Sequence, residues 1–140
     1  MISRIEAYRY RCFSKLAVEL GAYNVLAGAN GSGKTTLLDV PVLFGDLLTE
    51  RVCRAAFLEK LPSRETPRAQ TLTELIHQGR GDEFIIALEA TLPRSVGNKA
   101  TWVTDNRRGT AERWRPSGLR YEVRFQVFNQ TELHVLNEYL

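Results

Sequence analysis

The apolar positions divide the chain into short alternating segments around one helical stretch. Ile2 to Tyr10 reads as a strand anchored by Ile2 and Ile5, and Leu16 to Leu20 alternates in the manner of a half-buried strand. Gly21 turns the chain into Tyr23 to Ala27, which is short, apolar and β-prone, the pattern of a buried strand. A helical pattern then runs from about Lys34 towards Leu48, with Leu37, Leu38, Val42 and Leu48 as its stripe. Pro41 predicts a kink or restart, because an interior proline costs about 3 kcal/mol through a lost hydrogen bond and a steric clash. Residues 49–60 continue as helix with Val52, Ala56 and Phe57 inward, and 61–68 is a loop punctuated by Pro62 and Pro67. Thr71 or Thr73 caps a short helix over Leu72, Leu75 and Ile76 that ends at Gly79. After a turn at 79–82, Glu83 to Leu92 reads as a strand stopped by Pro93. Residues 94–118 are polar, with a short strand expected at 100–104. Arg120 to Phe128 puts Tyr121, Val123, Phe125 and Val127 on one face, and a turn at Asn129 and Gln130 returns the chain as an antiparallel hairpin through Leu140.

Composition narrows the class. The 140 residues suit one domain, and 44% hydrophobic with 25% charged residues is ordinary for a soluble globular protein. No run approaches the length of a membrane span, and Met1 to Glu6 lacks the apolar stretch of a secretion signal, so the expectation is a cytoplasmic chain with no membrane partner. Cys12 and Cys53 have no metal-ligand spacing and are expected as thiols; His77 and His134 are equally isolated. The net charge of +3 is mild, but residues 94–124 hold eight basic side chains against three acidic ones. That stretch reads as a solvated face; the sharper alternative is contact with nucleic acid phosphates, with Trp102 and Trp114 available to stack on bases.

The strongest chemical signal is Gly28-Ala29-Asn30-Gly31-Ser32-Gly33-Lys34-Thr35, which fits the Walker A pattern G-x-x-x-x-G-K-[ST] without a mismatch between a predicted strand and a predicted helix. Glycines at 28, 31 and 33 permit positive φ and close approach of backbone to a ligand. Amides from Asn30 to Thr35, Ser32 among them, can then form an anion-binding nest, reinforced by the positive end of the helix. Lys34 supplies a mobile charge for β- and γ-phosphates, Thr35 a hydroxyl for Mg²⁺, and Thr36 a donor for the α-phosphate. The expected cofactors are ATP and Mg²⁺, with Lys34 as the catalytic side chain.

The flanks select among such proteins. Phe13-Ser14-Lys15-Leu16, Val18-Glu19-Leu20, Asn24-Val25-Leu26 and then the loop through Thr36-Leu37-Leu38-Asp39 resemble the start of the ABC-type P-loop ATPases of the SMC and RecF group, which includes the AAA-15 and AAA-21-type ATPases. The resemblance is specific over residues 1–40 and looser over 71–140. It implies an α/β P-loop NTPase N-terminal lobe, with a mixed central sheet and an antiparallel β subdomain. It also places Arg11, in Tyr10-Arg11-Cys12-Phe13, near the nucleotide's base or phosphates. In that group two heads sandwich two nucleotides, ATP binding closes the pair and hydrolysis opens it. A homodimer or a missing C-terminal half is therefore an expected partner, and DNA or a partner nuclease are compatible ones.

Some of the group's parts do not occur in the chain. No apolar run ends in Asp-Glu, since Asp82-Glu83 precedes its strand, and no Ser-Gly-Gly signature is present. Gln126 and Gln130 are the available candidates for a Mg²⁺-sensing glutamine. Residues 1–140 thus read as one incomplete ATPase domain, expected to bind nucleotide weakly and hydrolyse it little. A kinase that transfers the γ-phosphoryl group to a small acceptor, using the arginines at 107–115 as a lid, is one alternative; a non-catalytic ATP-binding interaction module is another.

Overall fold

A computed structural model describes residues 1–99, 102–104, 112–114 and 116–140. The chain forms a mixed α/β domain around a five-stranded antiparallel sheet. Its strands are β1 (Ile2–Tyr10), β2 (Phe13–Glu19), β3 (Glu83–Thr91), β6 (Gly118–Phe128) and β7 (Glu132–Tyr139), in the order β2-β1-β3-β6-β7. A separate two-stranded sheet pairs β4 (Trp102–Thr104) with β5 (Glu112–Trp114), with Trp102 opposite Trp114 in register. Helices α1 (Lys34–Thr49) and α2 (Cys53–Leu58) lie between β2 and β3 in sequence, and a short α3 (Arg94–Lys99) follows β3.

Period-two alternation explains the sheet. Phe84 and Ile86 of β3 and Val123, Phe125 and Val127 of β6 are buried on one face. They meet Leu37, Val40, Leu43 and Phe44 of α1 and Phe57 of α2 in one core. Aromatic rings knit the layers: Phe57 stands edge-on to Phe84 and Phe125 at 5.8 and 5.4 Å, and Phe44 lies 5.2 Å from Tyr121. Tyr10 is buried beside Phe84, and desolvation pushes its phenol up to about 12.

The opposite face is charged. Arg120 donates to Glu6 (2.9 Å), Glu89 (2.6 Å) and Glu122 (2.5 Å), and Arg4 pairs with Glu6. Arg124 pairs with Glu83. These two arginines of the basic stretch are thus engaged by carboxylates of their own sheet, which fits a solvated face; residues 105–111 and 115, with Arg107, Arg108 and Arg115, lie outside the described residues. The Arg120 guanidinium holds the Glu6 carboxyl below its ordinary 4.5. A depressed carboxyl adds stability above its unfolded value and loses it as pH falls through the folded one. Urea midpoints measured against pH should therefore drop below about pH 4.5, and Glu6→Gln should flatten that part of the profile.

Five expectations need correction, the first being the helical stripe: Leu38, Val42 and Leu48 are exposed, and α1 buries Leu37, Val40, Leu43 and Phe44 instead. Every described strand pair is antiparallel, so no mixed sheet forms among these residues. Tyr23 to Ala27 is not a strand: residues 21–32 are exposed and belong to no sheet. Pro41 does not restart the helix, because α1 runs unbroken from 34 to 49; burial of Val40, Leu43 and Phe44 outweighs the lost bond. Residues 50–52 interrupt the helices, so Val52 is exposed rather than inward.

One internal ion cluster fixes the 61–70 loop. The fully buried Arg68 side chain donates to both Asp39 oxygens (Nε 2.8 Å, Nη2 3.0 Å) and to the Ala56 carbonyl (2.6 Å). Its Nη1 also lies 2.7 Å from the Asp46 carboxylate as an ion pair, without the alignment of a hydrogen bond. Arg64 adds a second cation to Asp39 at 2.7 Å. The loop is thereby tied to the middle of α1.

Candidate functional site

The chain of causes begins at the β1–β2 turn. Arg11 has φ 51, and its amide donates to the Leu75 carbonyl at 2.8 Å. Its own carbonyl meets His77 Nδ1 at 3.0 Å, and Tyr10 bridges Ile76. His77, expected as an isolated boundary residue, thus helps fasten the turn against two 3-10 segments, Leu72–Leu75 and His77–Gly79. The expected short helix over 72–79 takes this tighter form, and Thr71 stands at its N-cap without a side-chain capping bond.

The glycine loop sits against that turn. Gly33 is the N-cap of α1 with φ 93, and a Cβ there would come within 2.7 Å of the Phe13 ring and 2.8 Å of Cys12 Sγ. Gly31 also has positive φ, at 81, but nothing within 4 Å. Gly33 therefore serves both conformation and close packing, whereas Gly31 serves conformation alone. The first intrahelical bond runs from Leu37 N–H to Gly33 O at 2.9 Å, which leaves the amides of Lys34, Thr35 and Thr36 without helical acceptors.

A cavity of about 510 Å³ is bordered by these three residues. Of the residues singled out in the sequence, Arg11, Asn30, Gly31, Gly33, Lys34, Thr35 and Thr36 line it. Gly28 and Ser32 do not, but they are bound to it through Lys34: Nζ donates to the Gly28 and Ala29 carbonyls at 2.7 Å each and to Ser32 Oγ at 3.4 Å. The Ser32 amide is turned inward onto the Ala29 carbonyl at 3.3 Å, so it does not join the expected nest.

Two lining residues were missed by the sequence reading. Cys12 carries an exposed thiol and follows Arg11 directly. Glu74 brings a carboxylate to the wall, held by the Gln70 amide (3.0 Å) and the Thr71 hydroxyl (3.2 Å). Its signal was the Thr71-x-x-Glu74 capping-box spacing.

The glutamine candidates lie elsewhere. Gln126 donates to Asp82 at 2.8 Å on β6, and Gln130 sits in the β6–β7 turn with φ 63. Neither lines the cavity. Among the described residues no cluster of His, Cys, Asp or Glu could hold a metal, and no helix is long and apolar enough to cross a membrane.

The arrangement is an α/β domain with a recess at the start of its longest helix, bordered by Arg11, Lys34 and Glu74 among others. No protein-family model matches the chain, and no curated protein does. Among solved structures it is similar in fold to an SMC ATPase from work on ATP-driven dimerization and DNA-stimulated activation of SMC ATPases. That match has a TM-score of 0.50 at 15% identity and covers 99% of this chain and 72% of that one.

Proposed function

We propose that the chain binds ATP with Mg²⁺ through residues 28–36, as the N-terminal part of an ABC-type ATPase head of the SMC and RecF kind. The observation that carries this reading is convergence: Lys34, Thr35 and Thr36, whose amides have no helical acceptor, and the cationic residues Arg11 and Lys34 all border one cavity. That donor set suits a polyphosphate. The Thr35 hydroxyl offers a single protein ligand, which fits Mg²⁺, an ion that takes most of its shell from water and phosphate oxygens. Lys34 leaves the loop carbonyls it now holds to meet the phosphates, and Arg11 flanks them from the β1–β2 turn. The only acidic side chain bordering the cavity among the described residues is Glu74, and no second carboxylate or glutamine lines the cavity with it to position a water. Binding without appreciable turnover is the expected behaviour of the isolated chain. Association of two heads on ATP, and any role of DNA, would follow from a completed head.

Titration calorimetry with Mg-ATP tests the reading. Wild type should give a saturable heat, and Lys34→Ala should weaken affinity by roughly ten- to a hundredfold, the equivalent of losing a charge-assisted contact of about 1.5–3 kcal/mol. Absence of binding by wild type, or equal affinity in both proteins, would sink it.

A further inference from the structure

Strand β1 changes neighbours at Arg9. Tyr8 is the last of its residues paired with β3, opposite Ile85, whereas Tyr10 bridges Ile76 between the two 3-10 segments. The backbone makes that change with φ 55 at Arg9, and Arg11, two residues on, has φ 51. Such values suit glycine or asparagine, so an arginine is held there against its own backbone preference. The Arg9 side chain shows what does the holding. Its Nη2 donates to the Arg80 carbonyl at 2.7 Å. The guanidinium reaches that carbonyl across Gly81, where a Cβ would collide with Nη2 and stand 2.9 Å from Cζ. Asp82, next in the chain, is tied to β6: its carbonyl accepts the Val127 amide at 2.7 Å and its carboxylate accepts from the Gln126 side chain at 2.8 Å. The contact therefore joins the end of β1 to a segment fixed on the sheet.

We infer that Arg9 is a positioning residue for the recess: its hold on the Arg80 carbonyl keeps the β1–β2 turn in the conformation that brings Arg11 and Cys12 to the cavity wall. Arg11 and Cys12 are the two residues between Tyr10 and Phe13, which pair as the last rung of β1 and β2. Both line the cavity, and Arg9 does not. A two-residue turn with positive φ at its first position favours glycine there. Arginine at that position leaves the turn in need of support from outside. Two ties come from the 72–79 segment, through the Leu75 carbonyl and the His77 ring. Arg9 adds a third at Arg80, just beyond that segment, so the turn is held from both sides of it. Gly33 packs on the same turn through Phe13 and Cys12, which carries the effect to the start of α1. That Arg11 meets phosphate rests on the proposed nucleotide reading, whereas the placing of the turn does not.

The test combines the labelling rate of the exposed Cys12 thiol by a neutral disulfide reagent, resolved by peptide mass, with Mg-ATP affinity by calorimetry. Arg9→Asn keeps a residue that tolerates positive φ and removes the guanidinium. It should change the Cys12 rate by about threefold or more and weaken Mg-ATP binding by roughly two- to tenfold, the worth of one exposed hydrogen bond. Arg9→Lys, which retains a donor, should fall between Arg9→Asn and wild type. In an Arg11→Ala background, Arg9→Asn should leave Mg-ATP affinity unchanged within about twofold, because a positioning residue acts through the residue it positions. Arg9 is exposed, so circular dichroism of these variants should match wild type. Gly81→Ala displaces the guanidinium from the other side and should reproduce the altered Cys12 rate. An unchanged Cys12 rate in both Arg9→Asn and Gly81→Ala overturns the inference. So does an equal loss of Mg-ATP affinity with and without Arg11, which would mean that Arg9 does not act through it. A wild type that binds no Mg-ATP, with the Cys12 rate still altered by Arg9→Asn and restored towards wild type by Arg9→Lys, sinks the nucleotide reading and upholds the placing of the turn.

Discussion

Replacing Arg68 by Met is expected to destabilise the fold by about 3–5 kcal/mol, the usual consequence of removing one partner from a buried ion cluster. The Arg68 side chain is wholly inaccessible, and the side chains of Asp39 and Asp46 are 14% and 9% exposed. Without the guanidinium, Asp39 retains Arg64, but Asp46 loses its cation in a site that water scarcely reaches. The Ala56 carbonyl loses its donor as well. Lysine should rescue poorly, because one ammonium cannot hold both Asp39 oxygens while reaching Asp46 and a carbonyl. A third variant separates charge from shape: Arg68→Met combined with Asp46→Leu removes the stranded carboxylate and should recover part of the loss. Urea unfolding monitored by circular dichroism reads all three. A change within about 0.5 kcal/mol for Arg68→Met, the range of ordinary surface substitutions, would show that the cluster contributes nothing.

That cluster also shows where sequence reading stops. Arg68 lies in a polar, proline-punctuated stretch, and nothing local distinguishes it from a solvated arginine; its burial depends on Asp39 and Asp46, which precede it by 29 and 22 positions on another element. The strands with one buried face were legible, because alternation in Arg120 to Phe128 and in Glu83 to Leu92 reports directly which side meets the core. The start of α1 was legible from the glycine before it, as Gly33 takes the positive φ that the turn into the helix uses. Tyr23 to Ala27 was misread for a definite reason. Its composition states that the segment favours extension and burial, but a strand exists only with a neighbour, and the pattern contains no information about one. Arg11 was reached through family resemblance, and its local cause emerged only from the backbone: the positive φ of the turn and its bond to Leu75. Glu74 had a readable capping-box spacing, but its approach to the glycine loop depends on the packing of the 72–79 segment beside the turn.

Gly33→Ala should be the most damaging single change in the glycine loop, and comparison with Gly31→Ala gives the reason. Both positions have positive φ, 93 and 81, so each alanine carries backbone strain of about 1–3 kcal/mol. Only at Gly33 does the new methyl also collide, at 2.7 Å with the Phe13 ring and 2.8 Å with Cys12 Sγ. Overpacking adds roughly 1–3 kcal/mol there and nothing at Gly31, whose Cβ would point into open space. The stability difference between the two variants, measured by urea unfolding, therefore isolates the contact. Phe13→Leu in the Gly33→Ala background should narrow it, because leucine lacks the ring atoms nearest the methyl. The displaced turn carries Arg11, which borders the same cavity. On the proposed reading, Gly33→Ala consequently weakens Mg-ATP binding more than Gly31→Ala does, by moving a cation as well as straining the loop. Equal stability and equal affinity in the two alanine variants would mean that the turn does not bear on the loop, and that the two cavity walls act independently.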